Sequence, residues 1–147
     1  LVHEAKKEYV KSDSLFKIIL ESDTYNAMDM NDYAYIISER IDTTPSELSY
    51  ALELANQAIE LEPENPMILD TIGWIYFKQN KYNKALTFLQ RSYENSGNNL
   101  VILDHLGDVY LKLGNIEKAQ INYESALKID PTNSKIKSKL EAINVKN

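Results

Sequence analysis

Ile68-Leu69-Asp70-Thr71-Ile72-Gly73-Trp74-Ile75-Tyr76-Phe77-Lys78 is answered thirty-four residues later by Ile102-Leu103-Asp104-His105-Leu106-Gly107-Asp108-Val109-Tyr110-Leu111-Lys112. At the same offset Lys84-Ala85 meets Lys118-Ala119 and Asn99 meets Asn133, so one period holds nine identities. Unrelated segments of ordinary composition would share about two. A period of twenty to fifty residues marks a chain of stacked repeats, each a small unit that buries its apolar face only against a neighbour.

Within the period, apolar residues recur at helical spacing while Gly, Pro and Asn mark the breaks. Asn65-Pro66 reads as an N-cap followed by Pro at the first helical position, where the missing N–H costs nothing. The helix it opens runs to about Gln79 and turns at Asn80-Lys81. A second helix runs from about Tyr82 to Asn95, with Gly97 as a left-handed terminator. The next pair covers about 100–113 and 116–129, joined at Gly114-Asn115 and closed by Asp130-Pro131.

Upstream, Thr44-Pro45-Ser46-Glu47 is a capping box that opens a helix carrying Ala51, Ala55 and Ala58. Its partner is read at about 27–40. Ala34 to Ala51 is 17 residues where Gly73 to Ala85 is 12, so the turn at 41–46 holds a five-residue insertion. Tyr9, Ser12, Phe16 and Ile19 match the second helix of a preceding pair. The segments are therefore 1–24 (second helix of a truncated repeat), 27–63 (degenerate repeat with a long turn), 66–99 and 100–133 (repeats), and 134–147 (capping helix). In the last, Ile136, Leu140 and Ile143 are expected inward, and Lys135, Lys137, Lys139 and Lys146 form the wet face.

These helix pairs resemble the tetratricopeptide repeat family, whose motif runs from a large apolar residue through Leu-Gly-x-x-Tyr to Ala, a large residue, Ala and Pro. Leu103, Leu106, Gly107, Tyr110, Ala119, Tyr123, Ala126 and Pro131 fill it almost completely. The preceding repeat supplies Leu69, Ile72, Gly73, Tyr76, Ala85, Leu89 and Ser92, with Gly97 in place of Pro. The run from Asp32-Tyr33-Ala34-Tyr35 to His105-Leu106-Gly107-Asp108 is similar to C-terminal arrays of bacterial proteins, many of them exported or lipid-anchored. The resemblance implies an all-α fold, a right-handed α-solenoid of antiparallel helix pairs, and a non-enzymatic scaffold for protein–protein interaction.

In that family the first helices line a concave groove. The motif leaves Asn31, Tyr35, Asp70, Trp74, Phe77, Lys78, Asp104, Asp108 and Lys112 free there, and these are the expected partner-binding residues. The set combines aromatic area with carboxylates and implies a protein or peptide partner that is neutral to basic or apolar. Trp and Tyr carry a disproportionate share of interface energy. The alternative for Trp74 and Phe77 is packing against a neighbouring helix. Some family members grip a peptide's terminal carboxylate with Lys and Asn on these helices. Asp70 and Asp104 stand at those positions here, and would repel it.

Composition narrows the chemistry. The formal charge of −6 divides into −9 over 1–65 and +3 over 66–147, and Arg40 is the only cation from Asp29 to Glu64. Such a field disfavours nucleic acid, although a solvated acidic surface accounts for it more simply than a docking patch. Cys is absent, and one His beside Asp104 and Asp108 is a poor ligand set, so no metal, cofactor or catalytic residue is expected. No run approaches the eighteen apolar residues of a membrane span, so the chain is expected to be soluble. Leu1 follows no basic or apolar leader and reads as lying within a longer protein, which leaves cytoplasmic, periplasmic and outer-membrane-associated locations open. Two other functional readings stay open: a structural or oligomerisation segment, and the docking module of an enzyme whose catalytic domain lies elsewhere.

Overall fold

A computed structural model describes residues 1–146, without the side chain of Lys146. Eight α-helices and no strand occur among the described residues. They are α1 (Val2–Glu21), α2 (Ala27–Ser38), α3 (Pro45–Leu61), α4 (Pro66–Lys78), α5 (Tyr82–Ser96), α6 (Leu100–Lys112), α7 (Ile116–Ile129) and α8 (Ser134–Lys146). The chain divides into two compact units, 1–63 and 64–147.

Local chemistry sets the helix ends. Asn26 and Thr44 each close a capping box, with Asp29 and Glu47 returning a carboxylate to the cap N–H. Asn65 and Asn99 accept from the second and third N–H groups of α4 and α6. Both helices end alike: Lys81 N–H donates to Tyr76 C=O at 2.9 Å, and Asn115 N–H donates to Tyr110 C=O at 2.9 Å. The intervening Asn80 and Gly114 take φ of 60° and 77°, the left-handed conformation that such a terminus requires.

In the first unit, α2 and α3 bury Met30, Tyr33, Ala34, Ile37, Ala51, Leu54, Ala55 and Ala58. The connection from Ser38 to Pro45 is the long turn. It is held by Arg40, a buried guanidinium bonded to Asp13 of α1 and to Glu47 of α3. No residue of α1 is itself fully buried. Polar and aromatic contacts hold it instead: Phe16 stacks on Tyr33 at 4.6 Å, and Tyr9 accepts from Ile41 N–H at 3.0 Å. Tyr33 donates to Asp13 at 2.9 Å, and burial together with that bond pushes its phenol up to about 12.

In the second unit, α4 and α6 each lie against the helix that follows, at a glycine. A Cβ added to Gly107 would stand 2.3 Å from the Tyr123 ring, and one added to Gly73 would stand 2.7 Å from Leu89 Cγ. Opposite, Ala85 and Ala119 are fully buried. Ser92 tolerates complete burial at an alanine position because its hydroxyl donates to Pro66 C=O at 2.6 Å. Tyr76 packs against the shared core, and Tyr110, 9% exposed, accepts from Gln90 at 3.0 Å. On α8, Ile136 and Ile143 are buried and Leu140 packs beside them. Of the expected lysine face, Lys135 and Lys137 are exposed and the Lys146 side chain lies outside the described residues, but Lys139 turns inward to Asp104 and Asp108, because the α6 carboxylates face it.

Gly107→Ala should lower stability by about 1–3 kcal/mol, since the rigid Tyr123 ring must be displaced. The gain in helix propensity, at most about 1 kcal/mol, is too small to offset it. Gly73→Ala, meeting a leucine that can change rotamer, should cost less. Urea midpoints of the two variants check the order, and equal midpoints would refute this account of the contact.

Candidate functional site

The expected partner-binding residues fall on first helices of both units. Asn31 and Tyr35 belong to α2 of the first unit, where Asn31 is buried and Tyr35 half-buried. The other seven lie on α4 and α6 of the second. There Lys78 and Lys112 are exposed and Phe77 and Asp108 half-buried, but Asp70, Trp74 and Asp104 are 2%, 7% and 8% exposed. Asn31, Asp70 and Asp104 are thus not the open groove residues expected, and Trp74 takes the alternative of packing against a neighbouring helix. Asp70, Trp74 and Asp104 are each engaged by the corresponding helix one repeat further on.

The engagement follows the repeat. His105 Nδ1 donates to the two Asp70 oxygens at 2.9 and 3.1 Å, from α6 to α4. Lys139 Nζ donates to Asp104 at 2.6 Å, from α8 to α6. Both donors stand thirty-five residues beyond their carboxylates, one full repeat plus one position. Removing either partner would leave a buried polar group unsatisfied, which costs about 1–3 kcal/mol, so the rungs lock successive first helices together. Lys139 also donates to both oxygens of Asp108, at 2.8 and 3.0 Å, and Lys135 adds a looser contact to Asp104 at 3.4 Å.

Asp108 accepts in addition the phenol of Tyr123 at 2.5 Å. Burial, then this hydrogen bond, pushes the Tyr123 phenol far above its ordinary value. Burial opposes the charge on Lys139, yet the hydrogen bonds to Asp104 and Asp108 outweigh it and hold its pKa up. The carboxylates that pointed to a basic partner are therefore matched internally.

Trp74 is held by stacking. Its ring lies 4.0 Å from His105 at 12° and 4.7 Å from Phe77 at 7°, with Lys78 Nζ 5.1 Å over its face. A stacked aromatic pair at the Trp74–Phe77 separation contributes about 0.5–1.5 kcal/mol beyond burial. His105 thus serves both a hydrogen bond and a stack, and no group of three or more His, Asp or Glu suited to a metal occurs among the described residues. Sequence reasoning missed Lys139 and Tyr123 as partners of the acidic positions. The available signal was the column Thr71, His105, Lys139, a hydrogen-bond donor immediately after each first-helix acidic position and its counterpart on α8.

Trp74→Ala should destabilise by about 3–5 kcal/mol, as expected for truncating a buried aromatic side chain, and it is thus a stability probe before it is a binding probe. Alkaline titration supplies a second check. Lys139 and Tyr123 both hold their protons more tightly folded than unfolded, where ordinary values are about 10.4 and 10. Their contribution is complete below about pH 10 and is lost as pH rises towards the raised folded-state values. The urea midpoint should hold up to about pH 10 and fall above it, and Tyr123→Phe should flatten that fall. A slope unchanged by the substitution would refute the assignment.

The fold has known counterparts. The first TPR of Spaghetti (RPAP3), solved bound to the HSP90 peptide SRMEEVD, superposes with a TM-score of 0.71 at 17% identity, covering 83% of this chain and 93% of that one. The Sgt2 TPR domain from Aspergillus fumigatus gives 0.71 at 19% identity, covering 82% and 78%. In sequence, TPR repeat-containing protein PA4667 of Pseudomonas aeruginosa is 26% identical over 94 residues, 64% of this chain. BBSome complex member BBS4 of Bos taurus is 34% identical over 67 residues, 44% of this chain. The chain spans only 15% and 13% of the length of these two relatives. The family profile described as anaphase-promoting complex, cyclosome, subunit 3 matches residues 46–126, more than half of the chain. With two near-complete motifs in tandem and helix pairs that close on glycine and alanine, the chain belongs to this family of tetratricopeptide-repeat proteins.

Proposed function

We propose that the chain is a non-enzymatic interaction scaffold that holds a segment of a partner protein against its first-helix face. The repeats at 27–63, 66–99 and 100–133 supply the framework, with flanking helices at 1–24 and 134–147. The observation that carries the reading is the state of the polar side chains on α4, α6 and α8. Asp70, Asp104 and Asp108 are spent on structural bonds to His105, Lys139 and Tyr123, an arrangement suited to a rigid platform and not to acid–base chemistry.

The HSP90 peptide held by the RPAP3 domain supports a peptide as the class of partner. An acidic tail of that kind is not the expected ligand, because Asp70 and Asp104 stand where a terminal carboxylate would need cations. With those carboxylates internally matched, a basic partner loses its main attraction too. An apolar or aromatic segment, flanked by the exposed Lys78 and Lys112, fits better. Among the described residues no helix is long and apolar enough to cross a membrane.

A photoreactive phenylalanine analogue at Lys112 on α6, compared with the same analogue at exposed Lys128 on α7, tests the reading in cells. The expected result is a dominant adduct from the Lys112 position that maps to one contiguous segment of one protein. Equal adducts from both positions, or none, would overturn it.

A further inference from the structure

The second unit contains a pocket of about 260 Å³ between α6, α7 and α8. Its floor and walls come from Tyr123, Ile143 and Leu111, with Ile116, Ala142 and the polar pair Asp108 and Lys139 completing them. Shifting these positions back by one repeat lands on the aromatic cluster of the preceding pair. Asp108 corresponds to Trp74, Leu111 to Phe77 and Ile116 to Tyr82, while Lys139 corresponds to His105.

There the three rings of the preceding pair and His105 of α6 form a chain of contacts: His105 on Trp74 at 4.0 Å, Trp74 on Phe77 at 4.7 Å, and Phe77 on Tyr82 at 5.5 Å. One repeat later none of the four positions is aromatic. The pocket is lined at these positions of the repeat register, where side chains without rings stand in place of the indole and its neighbours. Tyr123 replaces Leu89 and returns some volume, but it is drawn towards Gly107 and bonded to Asp108.

We infer that this pocket receives one tryptophan side chain of a partner protein, seated as Trp74 is seated in the preceding repeat. The inference deepens the scaffold reading and rests on it. Four observations select the occupant. The volume suits a single side chain, being below the roughly 300–1,000 Å³ of small-molecule sites. The walls are apolar apart from one rim. At that rim Asp108 Oδ2 accepts from Lys139 at 3.0 Å, and a carboxylate oxygen has the capacity to accept a second hydrogen bond from an indole N–H. Finally, Lys78, whose ammonium lies 5.1 Å over the Trp74 ring, has its repeat counterpart in exposed Lys112, four residues beyond Asp108 on α6.

N-acetyl-tryptophanamide titrated into the whole chain, followed by amide chemical shifts, tests the inference without needing the partner. Saturable shifts are expected at Leu111, Ile116 and Ile143. Ala142→Phe, which fills the pocket from an exposed lip position, should weaken binding at least tenfold. Should that variant not fold, Ile116→Lys on the opposite lip serves the same purpose. Shifts that do not saturate, that fall outside the pocket, or that survive the blocking variant would overturn the inference. So would a sedimenting dimer that Ala142→Phe dissociates, because a second copy would then be the occupant. Failure here with a clean Lys112 adduct removes the pocket and leaves the scaffold. Probe binding without any adduct removes the scaffold reading.

Discussion

Helix pairs in this protein exist because two backbones can come close at one residue. Where α6 passes α7, Gly107 leaves just the space that the Tyr123 ring takes. Where α4 passes α5, Gly73 does the same for Leu89. With Ala85 and Ala119 fully buried opposite, the pair becomes thin enough that its outer apolar face reaches the next one. Everything further along the array inherits that spacing, including the reach of His105 to Asp70 and of Lys139 to Asp104. Those two bonds span the same thirty-five residues because the spacing is the same.

The repeat frame also converts sequence differences into differences of chemistry. A first-helix position that carries Trp74 in one pair carries Asp108 in the next, and the consequence is not local to that side chain. With the indole, the site closes on itself through stacked rings. With the carboxylate, the same site gathers Tyr123 and Lys139 and leaves apolar volume behind. A solenoid can in this way vary its surface one repeat at a time, because stability is divided among neighbouring interfaces and no single core has to be rebuilt.

Much of the architecture was legible without coordinates. The capping residues Thr44, Asn65 and Asn99 act on their own first turns, so helix starts follow from short stretches of sequence. Asn80 and Gly114 mark chain reversals for an equally local reason, the tolerance of left-handed backbone. The candidate surface was harder to read. Periodicity identifies Asp70, Trp74 and Asp104 as positions the packing motif does not need, which leaves open whether they face a partner or another helix. They are buried because the helix one repeat further on presents a donor or a flat ring to each.

Sequence alone thus determined the thirty-four-residue unit, the helix pairs, their caps and the small residues at their crossings, since each depends on neighbours within one repeat. Tertiary structure alone decided which polar groups spend themselves on one another. It turned Lys139 from a solvated face to a pair of carboxylates, and it left a cavity where Asp108 succeeds Trp74. The physical reason is one of range: a hydrogen bond or a void between successive first helices depends on side-chain shapes a whole repeat apart. No window of local periodicity contains both sides.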